Sequence, residues 1–448
     1  MPWCASPAHS DDVAALWHVR EEILRRSLRR LRVDIGHGAR GAVCGRDVIV
    51  TRVRAMFTTF PSRGHFFPLV PLAEAVQAAG HDVVVASGPA FREQVERRGF
   101  DFLAVGIDGP RASALYNERH PQALTLPAEE QAALIVTRMF VEIWVPAVMS
   151  DLDRLVDWRP DMIIREEGEF AAPLVAAVAG VPCAEHSWGP IRPRSLAEST
   201  AAAMAPVWRS YGIEPDPLAG FYRWLYIDIC PPSLQFPDAA DVEVLHRLRP
   251  PTGATISVDD LPAWVAALGS RPVVYVTFGT VARYNQDPAF FGAAIEGLAD
   301  LGADVVVTLG PTGDPAALGS QPSHVHVERF VPQAAILPHC RAVVTNGGSG
   351  SVIGALAHGA PLLCVPAGAS PSQQRNADAV VRAGAGRSIG RTEATAARIR
   401  AEVSALLEDS SYRNVAQRLA AEIADMPPVA EGVTLLERLV EEQRPLTA

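Results

Sequence analysis

Short apolar runs alternate with amphipathic stretches along two separate parts of the chain. In the first part we predict strands at RAMFTTF, HDVVVAS, FDFLAVG, DMIIR and VPCAEHS, with helical spacing in PLVPLAEAVQAAG and FAAPLVAAVAG. The pattern breaks after about residue 190 and resumes with PVVYVTFGT, ADVVVTLG, HVHVERFV, RAVVT and PLLCVPAG. Strands that alternate with helices favour parallel sheets covered on both faces. The sequence therefore predicts an α/β fold with two doubly wound domains that face each other across a cleft.

A proline-containing stretch, RLRPPTGATISVDDLP, separates the two series and predicts a linker. The predicted units are an extension at 1–52, a first domain at 53–250, a second domain at 251–425 and a C-terminal helix at 426–448. The extension contains LWHVREEILRRSLRRLRV, a basic stretch with roughly helical apolar spacing. Such a stretch can mark a membrane or partner surface. A peripheral attachment is the simpler interpretation.

Composition narrows the classes of function. The 448 residues are 48% hydrophobic and 20% charged, as in ordinary globular proteins. The formal net charge of -10 gives no reason to expect a nucleic-acid partner. The sequence has no run of about 18 apolar residues that would span a membrane, and its N-terminus lacks a signal-peptide pattern. Because the six cysteines have no metal-ligand spacing, we expect buried thiols and a cytoplasmic location.

A glycine-rich turn between a strand and a helix is the strongest local signal. In AVVTNGGSGSVIGALAHGAP, an apolar run ends at Asn346, glycines follow, and helix-like spacing begins. Exposed N–H groups and the positive end of a helix favour an anion at such a turn. The Lys-Ser/Thr ending of a triphosphate loop is missing, and no Asp or Glu between Gly347 and Ala377 could hold a dinucleotide ribose. A tight turn without a ligand is the simpler alternative.

Several separated motifs resemble, in the right order, family 1 glycosyltransferases of the actinobacterial natural-product branch. They are TTFPSRGHFFPLVPLAEAVQAAGHDVV, VYVTFGT, RFVPQAAILPHCRAVVTNGGSGSVIGALAHGAPLLCVPAGASPSQQRNA and the AGAG at 383–386. The resemblance covers about residues 53 to 440. It implies the GT-B fold, in which the first domain binds an acceptor and the second binds a nucleotide sugar. It also implies that the last helix returns to the first domain.

The resemblance implies that the anion at the glycine turn is a nucleotide diphosphate. Backbone and hydroxyl donors would stabilise it as a leaving group, so neither a metal ion nor a cofactor is expected. The Asp-Leu-Asp triplet at 151–153 is interpreted as a solvated helix face. The amide of Asn346 is expected to donate to the diphosphate. The implied donor-binding residues are Thr280, Phe330, Val331, Gln333, Asn346, Gly348, Ser349, Gly350, Ser351, Ser372 and Gln373.

On the acceptor side, the resemblance implies a catalytic pair of His65, the general base, and Glu166, its partner. Imidazole suits this role because its ordinary pKa lies near neutral pH. The alternatives are a histidine that packs or caps a helix and a cluster of first-turn acids, since Glu167 is adjacent. A large apolar acceptor would bind near 108–150 and 186–235. The expected contacts there are Trp144, His186 and Trp188.

Two donor-side positions depart from the family pattern. Asn346 stands where His is usual, and Ser372-Gln373 stands where an Asp-Gln pair is usual. A serine accepts fewer hydrogen bonds from sugar hydroxyls than a carboxylate does. One interpretation is an inverting enzyme that uses a deoxy- or amino-sugar linked to thymidine diphosphate (dTDP), with a UDP-sugar as the alternative donor. The other is a non-catalytic relative that binds or activates a partner. A homodimer or an activator protein stays open, and His65 with Glu166 favours the enzyme.

Overall fold

The computed structural model describes residues 52–126, 130–131, 134–251, 261–268, 271–279, 288–310, 312–367 and 370–448. The predicted extension therefore lies outside the described residues except for Arg52, and Thr280 lies outside them as well.

Seven parallel strands form the sheet of the first domain, in the order β3-β2-β1-β4-β5-β6-β7. All residues of β4 are buried, because helices cover both faces of the sheet. The pairing sets Glu166, at the end of β4, opposite His186, at the end of β5. The loops that follow these strands consequently share one edge of the sheet. The strands are β1 Arg54–Thr58, β2 Asp82–Ser87, β3 Asp101–Ala104, β4 Met162–Glu166, β5 Cys183–His186, β6 Leu225–Asp228 and β7 Leu245–Arg247.

The prediction that the first series of strands ends near residue 190 is wrong, because β6 and β7 extend this sheet. Strand β6 has four residues and ends in Asp228, while β7 has three residues, of which two are only partly buried. Strands this short give too few alternating or apolar positions to produce a recognisable run.

Six parallel strands form the second sheet, in the order β10-β9-β8-β11-β12-β13. Strand β11 ends at Thr345, so the glycine turn begins at the carboxyl edge of this sheet. Strand β13 includes the last glycine of the AGAG motif, and a Cβ at Gly386 would lie 2.1 Å from the carbonyl oxygen of Leu362. Only glycine allows this close pairing with β12. The strands are β8 Val273–Thr277, β9 Asp304–Thr308, β10 Val325–Glu328, β11 Cys340–Thr345, β12 Leu362–Cys364 and β13 Gly386–Ser388.

Helices cover both faces of each sheet, and two large apolar clusters accordingly flank each of them. In the first domain the helices are Arg63–Phe66, Val70–Ala78, Arg92–Glu96, Gly109–Arg119, Val145–Met149, Leu152–Asp157, Ala172–Ala179 and Arg194–Ser210, with a π-helical stretch at Ile135–Trp144. In the second they are Pro288–Leu298, Gln333–Ile336, Ser349–Ala357, Pro371–Ala383, Ala396–Glu408 and Ser410–Asp425. Within the described ranges, no helix combines the length and the apolar character needed to cross a membrane.

The last helix, Val429–Glu442, packs on the first domain. Its buried face joins the apolar cluster beneath β1 and the helix Val70–Ala78. The contact is close at Gly432, where a Cβ would lie 2.7 Å from Leu72. Nε2 of His81 lies 3.0 Å from Oε1 of Glu437 across the same contact. The helix therefore fastens the end of the second domain to the first.

Candidate active site

His65 and Glu166 meet at the carboxyl edge of the first sheet. Glu166 ends β4, and His65 belongs to the short helix that follows β1. Nδ1 of His65 lies 3.0 Å from Oε1 of Glu166, whose side chain is 1% exposed. The side chain of His65 is 20% exposed. The carboxylate thus fixes the ring through Nδ1 and leaves Nε2 as the nitrogen available to a ligand.

The surroundings of Glu166 keep its carboxyl group ionised. Oε1 also accepts a hydrogen bond from the backbone N–H of Phe60 at 3.1 Å, and Oε2 accepts one from Gly168. Burial by itself would raise the pKa of Glu166, but the charge of His65 and the hydrogen bonds from His65, Gly168 and Phe60 outweigh it and lower the pKa. A carboxylate of this kind can stabilise an imidazolium that forms beside it.

Aromatic rings surround His65. The centroid of the Trp188 ring lies 4.2 Å from that of His65 in an edge-on arrangement, and Phe140 stacks at 6.2 Å. Gly168 makes this packing possible, because a Cβ there would lie 2.9 Å from Cε1 of His65 and 3.0 Å from Trp188. The sequence reasoning missed Gly168, although its place inside the run EEGE, at the end of a strand, was a signal. His65 therefore has apolar walls, as the binding site of an apolar acceptor needs.

Two of the three expected acceptor contacts lie in the core. Trp144 is 1% exposed, and its Nε1 donates to Oε1 of Glu169 at 3.2 Å. His186 is also buried, and its Nδ1 donates to the carbonyl oxygen of Ser187 at 2.6 Å. Their burial argues against a direct contact with an acceptor. Trp188, beside His65, is the member of the set that reaches the site.

The neighbouring acids have three separate environments. Both carboxylate oxygens of Glu169 accept hydrogen bonds from backbone N–H groups, Oε1 from Ala171 and Oε2 from Ala172, at the start of the helix Ala172–Ala179. The first-turn interpretation therefore fits Glu169 and does not fit Glu166, which faces His65. The side chain of Glu167 points away from His65 and from the start of that helix, towards the second domain.

Buried His186 gives a prediction for the pH dependence of stability. Burial lowers the pKa of His186 to about 4, whereas an unfolded histidine has a pKa of about 6.5. The stabilisation that neutral His186 contributes is complete above about pH 6.5 and is lost as the pH falls towards 4, a loss of up to about 3 kcal/mol. We expect the unfolding free energy of His186→Gln, measured in urea, to fall less steeply than that of the wild type over this range. Parallel curves would contradict the assignment.

Asn346 shapes the glycine turn from inside the protein. Its Nδ2 donates to the carbonyl oxygen of Phe278 at 3.2 Å, and its Oδ1 accepts from the N–H of Gly348 at 3.1 Å. The amide therefore joins the end of β8 to the turn, which differs from the expectation that it is directed at a diphosphate. Gly347 has a φ of +81°, and a Cβ there would lie 2.7 Å from the carbonyl oxygen of Gln373. The turn consequently requires glycine at 347.

The turn presents the N-terminus of the helix Ser349–Ala357, which has no side-chain cap among the described residues. Its first N–H groups, which include that of Gly350, are therefore available to an anion. Oγ of Ser349 accepts from Asn376 at 2.9 Å, and Oγ of Ser351 accepts from Gln333 at 3.1 Å. Each oxygen accepts one hydrogen bond, so each hydroxyl can still donate to an anion.

Of the other expected donor residues, Gln333 and Gln373 lie beside this turn. Oγ of Ser372 is 3.3 Å from Oγ of Ser370, and Oε1 of buried Gln373 accepts from the N–H of Ala367 at 3.0 Å. Phe330 is 65% exposed, whereas Val331 is buried. The structure thus leaves an aromatic ring uncovered just before the helix Gln333–Ile336.

The described residues hold no group of three or more His, Cys, Asp or Glu side chains that could bind a metal ion. The Asp-Leu-Asp triplet begins the helix Leu152–Asp157, and Oδ2 of Asp151 accepts from the N–H of Gly106 at 2.9 Å. Asp151 therefore has a structural role, because it connects the start of this helix to the loop at Gly106.

Comparison with known proteins matches this architecture to one family. The models of the erythromycin biosynthesis protein CIII-like family match residues 74–279 with the N-terminal domain and 293–439 with the C-terminal domain. The chain belongs to this family. It is a glycosyltransferase, and the predicted GT-B fold is confirmed.

The similar proteins include antibiotic glycosyltransferases at 30% identity or more. L-demethylnoviosyl transferase of Streptomyces niveus is 34% identical over 400 residues, which are 88% of this chain and 100% of the relative. Tylactone mycaminosyltransferase of Streptomyces fradiae is 30% identical over 430 residues, which are 86% and 92% of the two chains. The solved structure of the Streptomyces sp. SF2575 glycosyltransferase SsfS6 with thymidine diphosphate has a TM-score of 0.67 and 28% identity, over 86% of this chain and 100% of that one.

In this glycosyltransferase the surroundings of His65 and the glycine turn approach each other across the cleft. Trp188 contacts His65, and the next residue, Gly189, lies against the glycine turn. A Cβ at Gly189 would be 3.1 Å both from Oγ of Ser349 and from Oδ1 of Asn376. The sequence reasoning missed Gly189 and Asn376, because no local pattern links residues of different domains.

Proposed function

We propose that this glycosyltransferase moves a deoxy- or amino-sugar from dTDP to a hydroxyl of a hydrophobic natural-product aglycone, with inversion at the anomeric carbon. The observation that carries the proposal is the contact between His65 and Glu166 at the strand edge that faces the glycine turn.

The chemistry follows from the free nitrogen of His65. Nε2 takes the proton of the acceptor hydroxyl while the oxygen forms its bond to the anomeric carbon. The bond from that carbon to the diphosphate oxygen breaks, and its electron pair stays on the diphosphate. Direct displacement from the opposite face inverts the anomeric centre. Glu166 acts through the ring, because it holds the orientation of Nδ1–H and stabilises the imidazolium.

The leaving diphosphate would bind at the glycine turn. The uncapped helix at Ser349–Ala357 offers N–H groups and the positive end of its dipole, and Ser349 and Ser351 add hydroxyl donors. Such donors stabilise the charge that develops on the diphosphate. They support a reaction that uses neither a metal ion nor a cofactor.

Similar proteins and two residues of this chain support a dTDP-linked deoxy- or amino-sugar as the donor. SsfS6, a relative in fold and sequence, was solved with thymidine diphosphate. Two similar proteins are named as demethylnoviosyl and mycaminosyl transferases. Phe330 offers an uncovered ring on which a pyrimidine can stack, and Ser372 supplies a hydroxyl where a carboxylate would bind more sugar hydroxyls. Family membership and the contact between His65 and Glu166 both favour an enzyme over a non-catalytic relative.

Calorimetric titration with dTDP, UDP and GDP tests the donor site. We expect dTDP to bind about fourfold tighter than UDP, since burial of the thymine methyl adds about 0.8 kcal/mol. GDP should bind weakest. The proposal fails if no pyrimidine nucleotide binds at millimolar concentration.

Asn346→Ala should weaken the binding of dTDP by about tenfold, because the turn loses the hydrogen bonds to Gly348 and Phe278. Asn346→His should also weaken the binding of dTDP, since an imidazole cannot make both contacts in the same place. Gln374→Ala is the control, because its side chain is exposed and bonds only to Asp378 among the described residues. Wild-type affinity in Asn346→Ala would show that the amide does not shape the nucleotide site.

A further inference from the structure

A buried ion pair joins the two domains directly beside the proposed active site. Nη2 of Arg375, in the second domain, lies 3.2 Å from Oε2 of Glu167, in the first. Arg375 is 9% exposed and Glu167 is 1% exposed. Oε1 of Glu167 also accepts from the hydroxyl of Tyr226 at 2.8 Å, and Nη2 of Arg192 lies 4.0 Å from Oε2. Glu167 therefore keeps polar partners even if Arg375 is removed.

Both ends of this ion pair adjoin residues of the site. Glu167 follows Glu166, the partner of His65. Arg375 lies in the helix Pro371–Ala383, and the next residue, Asn376, donates to the carbonyl oxygen of Gly347 at 2.7 Å and to Oγ of Ser349. Through two consecutive residues, one helix thus contacts both Glu167, the neighbour of Glu166, and the glycine turn.

A second contact across the cleft reaches the same helix. Gly189 approaches Asn376 and Ser349 so closely that a side chain would not fit without a shift. Its neighbour Trp188 packs against His65. Two segments of the first domain, at Glu167 and at Gly189, therefore lie against the same helix of the second domain.

We infer that Glu167 and Arg375 are positioning residues, which set the separation of the two domains so that the glycine turn lies opposite His65. The inference rests on the proposed roles of His65 and of the turn. Sugar transfer needs the acceptor oxygen, the anomeric carbon and the leaving oxygen in line, and a misplacement of about 1 Å can cost about a hundredfold in rate. A buried ion pair adds little net stability but is satisfied in only one arrangement. These properties suit a contact that fixes geometry.

The chain offers a matched control on the same helix. Nη2 of Arg382 donates to the carbonyl oxygens of Leu234 at 2.8 Å and Gln235 at 2.6 Å. Arg382 lies seven residues, or about two turns, beyond Arg375. The variant Arg382→Met therefore also removes an arginine contact between the two domains, but one about two turns away from the contact with Glu167, so it tests whether the effect is specific to the contact beside His65.

The first test compares rates and nucleotide affinities. Arg375→Met and Glu167→Gln should each lower kcat by about ten- to a hundredfold, while the Kd for dTDP stays within about threefold of the wild type. The double variant should be no more than about twofold slower than the slower single variant, because the two residues act as one pair. Arg375→Lys should restore part of the rate, and Arg382→Met should stay within about twofold of the wild type.

The second test needs no substrate. Small-angle X-ray scattering of the ligand-free protein should give a larger radius of gyration for Arg375→Met than for the wild type, and no change for Gln374→Ala, whose exposed side chain bonds to Asp378 within the same helix. If the wild type uses another sugar nucleotide, the rate comparison is made with that donor. If the wild type transfers no sugar, the proposed function fails, and the scattering alone decides the inference.

Four results would overturn the inference. In the rate comparison they are a wild-type kcat in Arg375→Met, an equal loss of rate in Arg382→Met, and effects of Glu167→Gln and Arg375→Met that multiply in the double variant. In the scattering measurement it is an unchanged radius of gyration for Arg375→Met.

Discussion

Replacement of His65 by alanine should lower kcat by about two to four powers of ten at saturating donor, because the acceptor hydroxyl loses its general base. The Kd for dTDP should stay within about twofold, since His65 belongs to the first domain and the nucleotide is proposed to bind the second. Steady-state rates and calorimetric titrations measure the two quantities separately.

Gly64→Ala is the control for His65→Ala. It changes the same short helix at a position where an added Cβ has no atom within 4 Å. Its rate should stay within about twofold of the wild type. A rate for His65→Ala within a few-fold of the wild type would show that another group takes the proton.

Glu166→Gln should lower kcat by about a hundredfold or more, because an amide cannot stabilise an imidazolium by charge and can favour the wrong tautomer of His65. The pKa of Glu166 is lowered in the folded protein, chiefly because His65 and the backbone donors offset the effect of burial, so the wild type carries this charge at neutral pH. The rate should therefore change even where the fold does not. Circular dichroism and thermal unfolding of the variant check the fold.

Glu169→Gln is the matched control for Glu166→Gln. Glu169 is also buried in the same loop, but its carboxylate accepts from Ala171, Ala172 and Trp144 and does not contact His65. We expect a lower melting temperature with kcat within about threefold of the wild type. Equal losses of rate in the two variants would mean that Glu166 contributes only to the stability of the loop.

Much of the fold could be predicted because its signals are local. A strand such as VYVT is buried on both faces, and it therefore reads as a short apolar run. The turn at Gly347 requires a positive φ, which leaves glycines in the sequence. Strands β6 and β7 escaped prediction because they are short, and β6 carries the buried Asp228. Its burial is tolerated through hydrogen bonds from Cys230 and Gln235 that no periodicity reveals.

The sequence by itself determined the alternation of strands and helices, the glycine-rich turn between a strand and a helix and, by resemblance, His65 and Glu166 as a candidate pair. Only the tertiary structure decided which of the acids at 166, 167 and 169 faces His65, since the direction of each side chain depends on one irregular loop. The tertiary structure also directs the amide of Asn346 towards the protein backbone. Glu167 and Arg375 are 208 residues apart, and their pairing depends on how two domains pack. Periodicity reports which positions are buried, whereas the partner of a buried polar group is set by packing between distant parts of the chain.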